Sequence, residues 1–187
     1  MGQRITDKKL RDRRFRKTEK AIIKVFFGSK RVLSARLIVK RAKISRATLY
    51  RHHGPVYEIV PDYEKYILKT YNGLIQGLVR RRGIRVKVLY HQILIFMMKN
   101  RDIFKMIVEK GSGRLLERMI RKIEPKIIEF YRLPKNCERM LMVYEKEITG
   151  MLEDWVRNDF KESESVILSD MMYLTETMRG RLMQLIR

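Results

Sequence analysis

The chain has 187 residues, of which 45% are hydrophobic, so it is long enough to bury a substantial core. That apolar content excludes a chain that is disordered throughout. Its 43 lysines and arginines against 21 acidic residues give a formal net charge of +22, which attracts polyanions. A nucleic acid or an anionic membrane surface is therefore the first partner to consider.

The positive charge is concentrated near the N-terminus. Residues 1–53 contain 18 lysines and arginines but only three acidic residues, Asp7, Asp12 and Glu19. A charge gathered in one segment is typical of a docking surface and not of general solubility. A protein that is merely basic is the alternative that charge alone leaves open.

The cysteine count and the apolar pattern indicate the compartment. Cys137 is the only cysteine, which excludes an internal disulfide and fits a reducing environment. No run of about 18 apolar residues occurs, so a membrane-spanning helix is not expected. Residues 1–20 are polar and basic and lack the apolar core of a secretory signal. We therefore expect a cytoplasmic protein.

The first quarter of the chain predicts a three-helix module. After a basic N-terminal arm over residues 1–13, apolar residues at three and four spacing indicate a helix over 14–27. Ser34 and Ser45 are expected to be the N-caps of two short helices over 35–41 and 46–52. Each is too short to be stable alone, so both must fold against the first helix. We predict a helix-turn-helix module.

The remainder of the chain predicts a helical bundle. Gly54 and Pro55 interrupt the pattern, which divides the chain into domains at residues 1–53 and 54–187. A long fourth helix is predicted from Pro55 to the polar cluster at 80–83, and Pro61 is expected to kink it or to shift its beginning. Further helices are predicted over 84–99, 101–110, 113–131, 136–159 and 163–186. The fold class is therefore all-α, with about nine helices in total.

The segment over residues 34–53 carries the pattern that points to a function. It reads SARLIVKRAKISRATLYRHH and resembles the DNA-binding signature of TetR/AcrR-family transcriptional regulators. The positions that match the signature in type are Ser34, Ile38, Ala42, Ile44, Ser45, Thr48, Leu49, Tyr50 and His52.

Three positions depart from this signature. Lys43 replaces the usual glycine of the turn, so the turn either tolerates a side chain or is strained; His53 replaces an aromatic residue, and Val56 replaces a lysine that commonly meets phosphate.

The residue types in this segment suit contacts with duplex DNA. Arg46 can pair with guanine at two points, and Ala47 can touch the methyl group of thymine. The resemblance implies contacts of Tyr50 and His52 with the sugar-phosphate backbone, as well as of Ser34 or Arg36. Basic residues of the arm can reach along the backbone or into a minor groove. The predicted DNA-binding residues are Arg13, Arg14, Lys17, Ser34, Arg36, Ser45, Arg46, Ala47, Thr48, Tyr50, Arg51 and His52.

The resemblance also implies a homodimer that pairs through the last two long helices. Apolar residues recur there at helical spacing, and the predicted interface residues are Ile148, Met151, Leu152, Trp155, Met171, Leu174, Met178 and Leu182. Such stripes more often form the core of one chain, so we expect a mixture of core and interface. A two-fold dimer would read a palindromic operator, with recognition helices about 34–36 Å apart or at a nearby spacing set by the protein.

The middle helices offer residues for a small hydrophobic effector. A cavity among helices four to eight is suggested by Tyr66, Tyr90, Phe96, Met97 and Met106, because methionine-rich linings adapt to varied ligands. That these residues simply fill the core is an equally open alternative.

The chain offers no constellation that would indicate an enzyme. His52 and His53 are adjacent on a helix and point apart, and His91 has no acidic residue at helical spacing. No catalytic site, metal site or cofactor is therefore expected.

The sequence thus predicts a homodimeric, sequence-specific DNA-binding regulator. A repressor is expected and not an activator, because occupying a promoter site suffices for repression. A non-sequence-specific architectural DNA-binding protein is the alternative that the net charge favours. Attachment to an anionic membrane is a weaker alternative, because the basic arm lacks apolar anchors.

Overall fold

The computed structural model describes residues 13–27, 33–79, 85–111, 114–134 and 137–184. Within these ranges every regular element is a helix and no strand occurs, which confirms the predicted all-α class. Residues 1–12 of the predicted basic arm lie outside the described residues. The expected total of about nine helices concerns the whole chain and stays a prediction.

The helices of the first part begin and end close to the predicted positions. They are α1 (Arg13–Phe27), α2 (Ala35–Ala42), α3 (Arg46–His52), a 3-10 turn (Val56–Glu58) and α4 (Ile59–Val79). Pro61 lies in the first turn of α4, where a backbone N–H has no intrahelical partner and proline is tolerated. The helix therefore begins at Ile59 and not at Pro55.

The second part consists of longer helices. They are α5 (Val86–Lys99), α6 (Arg101–Lys110), α7 (Leu115–Tyr131), α8 (Glu138–Arg157) and α9 (Glu164–Gln184). Their bounds lie within a few residues of the predicted ones, because the apolar spacing and the breaks between helices are local features of the sequence. Along the described residues, no helix carries an apolar stretch long enough to cross a bilayer.

The chain forms two compact units. Among the described residues, the first contains those up to 68 together with 102–111, and the second contains those of 69–101 together with those from 114 onward. The predicted domains over residues 1–53 and 54–187 stay a prediction.

The first unit is held by apolar residues that each short helix contributes. Ile22 of α1, Ile38 of α2 and Leu49 of α3 are fully buried, and α2 packs against both α1 and α3. Burying a side chain of this size contributes about 1.5–3 kcal/mol. Helices of seven and eight residues are therefore stable here through packing and not through their own propensity.

The second unit contains a buried cluster of hydroxyl groups. The Tyr90 hydroxyl lies 2.8 Å from Thr175 Oγ1 and also contacts the Tyr144 hydroxyl, while Thr175 Oγ1 donates to the Met171 carbonyl at 2.7 Å. Burial raises the pKa of Tyr90 well above its ordinary value, and the neighbouring Tyr144 raises it further. The cluster is therefore uncharged, and it links α5, α8 and α9.

Candidate nucleic-acid interface

Both short helices begin at a serine whose side chain caps them. The Leu37 amide donates to Ser34 Oγ at 3.3 Å, and the Thr48 amide donates to Ser45 Oγ at 2.9 Å. The two predicted N-caps are therefore confirmed. A serine cap contributes about 1 kcal/mol by satisfying an amide that has no partner within the helix.

The turn between α2 and α3 contains a strained residue. Lys43 has φ 53° and ψ 46°, the left-handed conformation that favours glycine. A residue with a Cβ atom pays about 1 kcal/mol for this conformation. Of the two alternatives left by the sequence, strain at Lys43 is the one observed.

Helix α3 packs through Leu49 and His52 and exposes most of its other residues. Leu49 is fully buried, whereas Arg46, Ala47 and Arg51 are exposed and Tyr50 is 49% exposed. The exposed face thus carries two guanidinium groups, a methyl group and a phenol. Such a face can offer hydrogen-bond donors and a small apolar contact to a polyanion.

The predicted DNA-binding residues on α1 and α2 are also exposed. Among them are Arg13, Arg14, Lys17, Ser34 and Arg36. Helices α1 and α2 and the turn after α2 expose further basic residues that the prediction did not include, and these are Arg16, Lys20, Lys24, Lys40, Arg41 and Lys43. Thr48 is half-buried, and its hydroxyl accepts from Arg51 Nη2 at 3.3 Å.

His52 differs from the rest of the predicted set. Only 8% of this residue is exposed, its Nδ1 lies 2.6 Å from Glu19 Oε1, and its ring stacks on Phe15 with the centroids 4.3 Å apart. Its ring is held inside the unit and not on the exposed surface where the prediction placed it. The physical reason is that a buried carboxylate on α1 attracts the imidazole.

Glu19 is the centre of a buried polar cluster that sequence analysis did not identify. Its carboxylate, 3% exposed, accepts from His52 Nδ1, from the Tyr63 hydroxyl and from His53 Nε2, the last at 3.1 Å. His53 is fully buried, and its Nδ1 lies 3.8 Å from Asp62 Oδ2. These contacts compensate the burial of a charge and tie the end of α3 to α1 and α4.

The sequence carries a signal for the buried carboxylate of this cluster, although not for the residues that contact it. Glu19 is one of only three acidic residues in the first 53, and it stands at a position that packing buries. An isolated carboxylate on the inner face of a basic helix requires a donor, and adjacent histidines are suitable donors.

Most residues predicted for the dimer interface lie in the core of the second unit. Met151 and Leu174 are half-buried, but the other six are buried, and these are Ile148, Leu152, Trp155, Met171, Met178 and Leu182. The apolar stripes fill the interior because α8 packs against both α7 and α9. Because these six side chains are buried within their own chain, they are not proposed as interface residues. Dimer formation itself stays a prediction.

The residues predicted for an effector cavity do not gather in one compact unit. Tyr66 and Met106 belong to the first unit, whereas Tyr90, Phe96 and Met97 belong to the second. All except Tyr66 are buried. Their burial agrees with the alternative that these side chains fill the core.

The third histidine has a partner that helical spacing could not reveal. His91 Nε2 of α5 lies 2.7 Å from Glu164 Oε1 of α9. Across the residues that the structure describes, no group of three or more histidine, cysteine or acidic side chains is arranged to hold a metal ion.

No protein-family model matches the chain, and no curated protein matches it. The TetR/AcrR-family resemblance therefore rests on the residues of this chain that match the signature, and it stays a prediction.

Proposed function

We propose that the chain is a sequence-specific DNA-binding transcriptional regulator, with α1–α3 as a helix-turn-helix domain and α3 as the recognition helix. The observation that carries this proposal is the exposure of Arg46, Ala47, Tyr50 and Arg51 around a buried Leu49. A major groove admits one α-helix whose side chains read base edges. The surrounding unit is rich in exposed lysines and arginines, which supports the same partner.

The side chains divide into two roles. Arg46 and Ala47, at the start of α3, read bases: the guanidinium pairs with guanine and the methyl group touches thymine. Tyr50 and Arg51, together with the basic residues of α1 and α2, contact phosphates and fix the position of the protein on the duplex. Glu19 acts indirectly, because it holds the C-terminal end of α3 through His52.

The regulator acts as a homodimer in this proposal. The outer faces of α8 and α9 expose apolar side chains, among them Val143 at 44%, Val166 at 48% and Tyr173 at 71%. Met151 and Leu174 are half-buried on the same two helices. Burying such residues against a second copy would remove them from water and give a two-fold complex suited to a palindromic operator.

In this proposal the dimer represses transcription by occupying a promoter. A small hydrophobic effector that favours another spacing of the recognition helices would release the DNA.

Selection of bound fragments from random DNA tests the proposal. The expected result is an enriched palindrome, preferred over random duplex by at least about a thousandfold at the same salt concentration. Half-sites separated by about one helical turn would support the dimer as well. Binding without any enrichment would contradict sequence-specific recognition.

An architectural DNA-binding protein is the second candidate. The net charge of +22 and the exposed basic residues of α1 favour it, because phosphate contacts alone supply non-specific affinity. Its expected result in the same experiment is equal affinity for every duplex. A steep salt dependence is expected of both candidates and does not separate them.

Two variants separate the proposed roles. Arg46→Ala should relax base preference at one position by about 1–3 kcal/mol, because a two-point contact with guanine is lost. Arg13→Ala combined with Arg14→Ala should weaken binding to all duplexes alike and flatten the salt dependence. Titration of specific and random duplexes at several salt concentrations measures both effects. A uniform loss of affinity in both variants would contradict the division of roles.

A further inference from the structure

A row of exposed lysines runs along one face of α1 in the first unit. Lys17, Lys20 and Lys24 follow one another at helical spacing, and all three are exposed. Arg13, also exposed, continues the row toward the beginning of the helix. With Arg13 included, the row is about 16 Å long, since an α-helix rises about 1.5 Å per residue. We call the three lysines the α1 stripe.

No acidic residue of α1 neutralises the stripe. The only carboxylate of this helix is that of Glu19, which is 3% exposed and is turned toward His52 and His53. The first turn contains no acidic residue that would offset the helix dipole. Lysines three or four residues apart on a helix repel one another. The stripe therefore destabilises α1 unless an anion binds to it.

Cations on the helices of the second unit are arranged differently. Four of them pair with a carboxylate on their own helix, and the pairs are Arg121 with Glu117, Lys126 with Glu129, Arg157 with Glu153 and Arg179 with Glu176. Interspersed charges of both signs are typical of a surface that faces only water. The α1 stripe lacks this arrangement, so the comparison indicates a surface with an anionic partner.

The stripe faces away from the recognition helix. Phe15 and Glu19 of α1 both contact His52 of α3. Lys17 lies two residues from each of these α1 residues, which is about 160° around the helix axis. By the same rule, Tyr50 lies about 160° around α3 from His52. The two helices thus meet through their inner faces, so the stripe and the exposed face of α3 point in opposite directions.

The phosphate backbone of duplex DNA is the partner that this stripe fits best. Each strand carries one negative charge per about 3.4 Å of the duplex axis, so a row of this length can follow about five phosphates. An anionic membrane fits less well. Every residue of α1 that the structure describes as exposed is a lysine or an arginine, and none of them is an apolar anchor for a bilayer.

We propose that the α1 stripe is a second duplex-binding surface, so that one chain holds two segments of DNA at once. This inference rests on the proposed function, in which α3 holds the first duplex, and it assigns Lys17, Lys20 and Lys24 to a second one. Binding at the stripe is independent of sequence, because ammonium groups on flexible side chains contact phosphates and not base edges. The chain therefore bridges DNA as well as reading it.

Capture of a second duplex tests the proposal. A short duplex of random sequence is fixed to beads and loaded with the whole chain, and the same duplex with a fluorescent label is then added. The unmodified chain should capture the labelled duplex. Lys20→Gln combined with Lys24→Gln should weaken this capture at least about tenfold at about 0.1 M salt, because two phosphate contacts are lost. The amount of chain held by the first duplex should not change.

Lys87→Gln combined with Lys99→Gln is the matched control. Both lysines are exposed on α5, so the same number of positive charges is removed from a different helix, and capture should be unchanged. Glutamine and lysine have similar helix propensities, so both double variants should fold, as far-UV circular dichroism would verify. Equal loss of capture in the two double variants would overturn the proposal, because total charge and not the stripe would then be responsible.

Three further outcomes would overturn the proposal. Weaker retention of Lys20→Gln with Lys24→Gln on the first duplex would mean that the stripe and α3 bind one duplex together. Capture per retained chain that falls in Arg51→Ala but persists in this lysine variant would mean that the second α3 of a dimer holds the labelled duplex. No capture by the unmodified chain, together with its sedimentation on vesicles of anionic phospholipid, would favour a membrane surface.

Failure of this inference is distinguishable from failure of the proposed function. The capture experiment uses no operator, whereas the regulator proposal depends on enrichment of a palindrome from random DNA. Lys20→Gln combined with Lys24→Gln should enrich the same palindrome as the unmodified chain, because the residues of α3 that read bases are unchanged. Enrichment without capture would overturn the stripe alone, and capture without enrichment would contradict the regulator alone.

Discussion

Each compact unit has a polar cluster in its interior, and the two clusters differ in charge. The first is built on the Glu19 carboxylate, which accepts from His52, His53 and Tyr63. The second joins the hydroxyl groups of Tyr90 and Thr175 with that of Tyr144 and contains no ionised group. A buried charge depends on every one of its donors, whereas neutral hydroxyls can rearrange among themselves. The C-terminal end of α3 is therefore held by the charged cluster, which tolerates the loss of a donor less well than the neutral cluster does.

Removal of the charged cluster should have the largest effect on stability. Glu19→Ala leaves two imidazoles and a phenol without their acceptor and should lower the free energy of unfolding of the first unit by about 3 kcal/mol. Urea unfolding followed by far-UV circular dichroism measures the change. Glu58→Ala, at an exposed position of the same unit, is the control and should change stability by less than about 0.5 kcal/mol. Equal effects of the two substitutions would contradict the central role of Glu19.

Removal of one hydroxyl from the neutral cluster should cost less. Thr175→Val keeps the side-chain shape but removes a group that bonds to Tyr90 and to the Met171 carbonyl, so a loss of about 1–2 kcal/mol is expected. Fluorescence of Trp155, the only tryptophan, follows unfolding of the second unit. Thr177→Val, half-buried on the same helix, is the control. A loss as large as that of Glu19→Ala would remove the distinction between the clusters.

A glycine at the left-handed caps should have the smallest effect, and it should be a gain in both units. Lys43 ends α2 at φ 53°, and Arg132 ends α7 at φ 51°. Lys43→Gly and Arg132→Gly should each stabilise the chain by about 1 kcal/mol, because glycine adopts this conformation without a steric penalty. Thermal unfolding measures the gain. Lys40→Gly, within α2, is the control with the opposite sign and should cost about 1 kcal/mol.

Polar and apolar patterns differed in how well they predicted exposure. On α3 the polar residues proposed for DNA contact are exposed, with Thr48 half-buried and His52 buried. On α8 and α9 most of the apolar residues proposed for a dimer are already buried within the chain. An apolar stripe shows that a helix has a buried face but not whether that face meets its own chain or a partner. Exposed apolar residues such as Tyr173 become visible only once the core is known.

Contacts between distant residues could not be predicted. His52 meets Glu19 across 33 positions, and Tyr90 meets Thr175 across 85. No local spacing rule connects such pairs, because they meet only after the helices have packed. His91 and Glu164 are a further example, from α5 and α9.

The sequence by itself determined the helices of this protein, their serine caps and the concentration of basic charge near the N-terminus. Helix periodicity and capping act over a few residues, so the chain encodes them locally. Only the tertiary structure decided that His52 turns inward to Glu19 and that the stripes of α8 and α9 fill the core. Each of these depends on which helices pack together, because burial and pairing are properties of several segments at once.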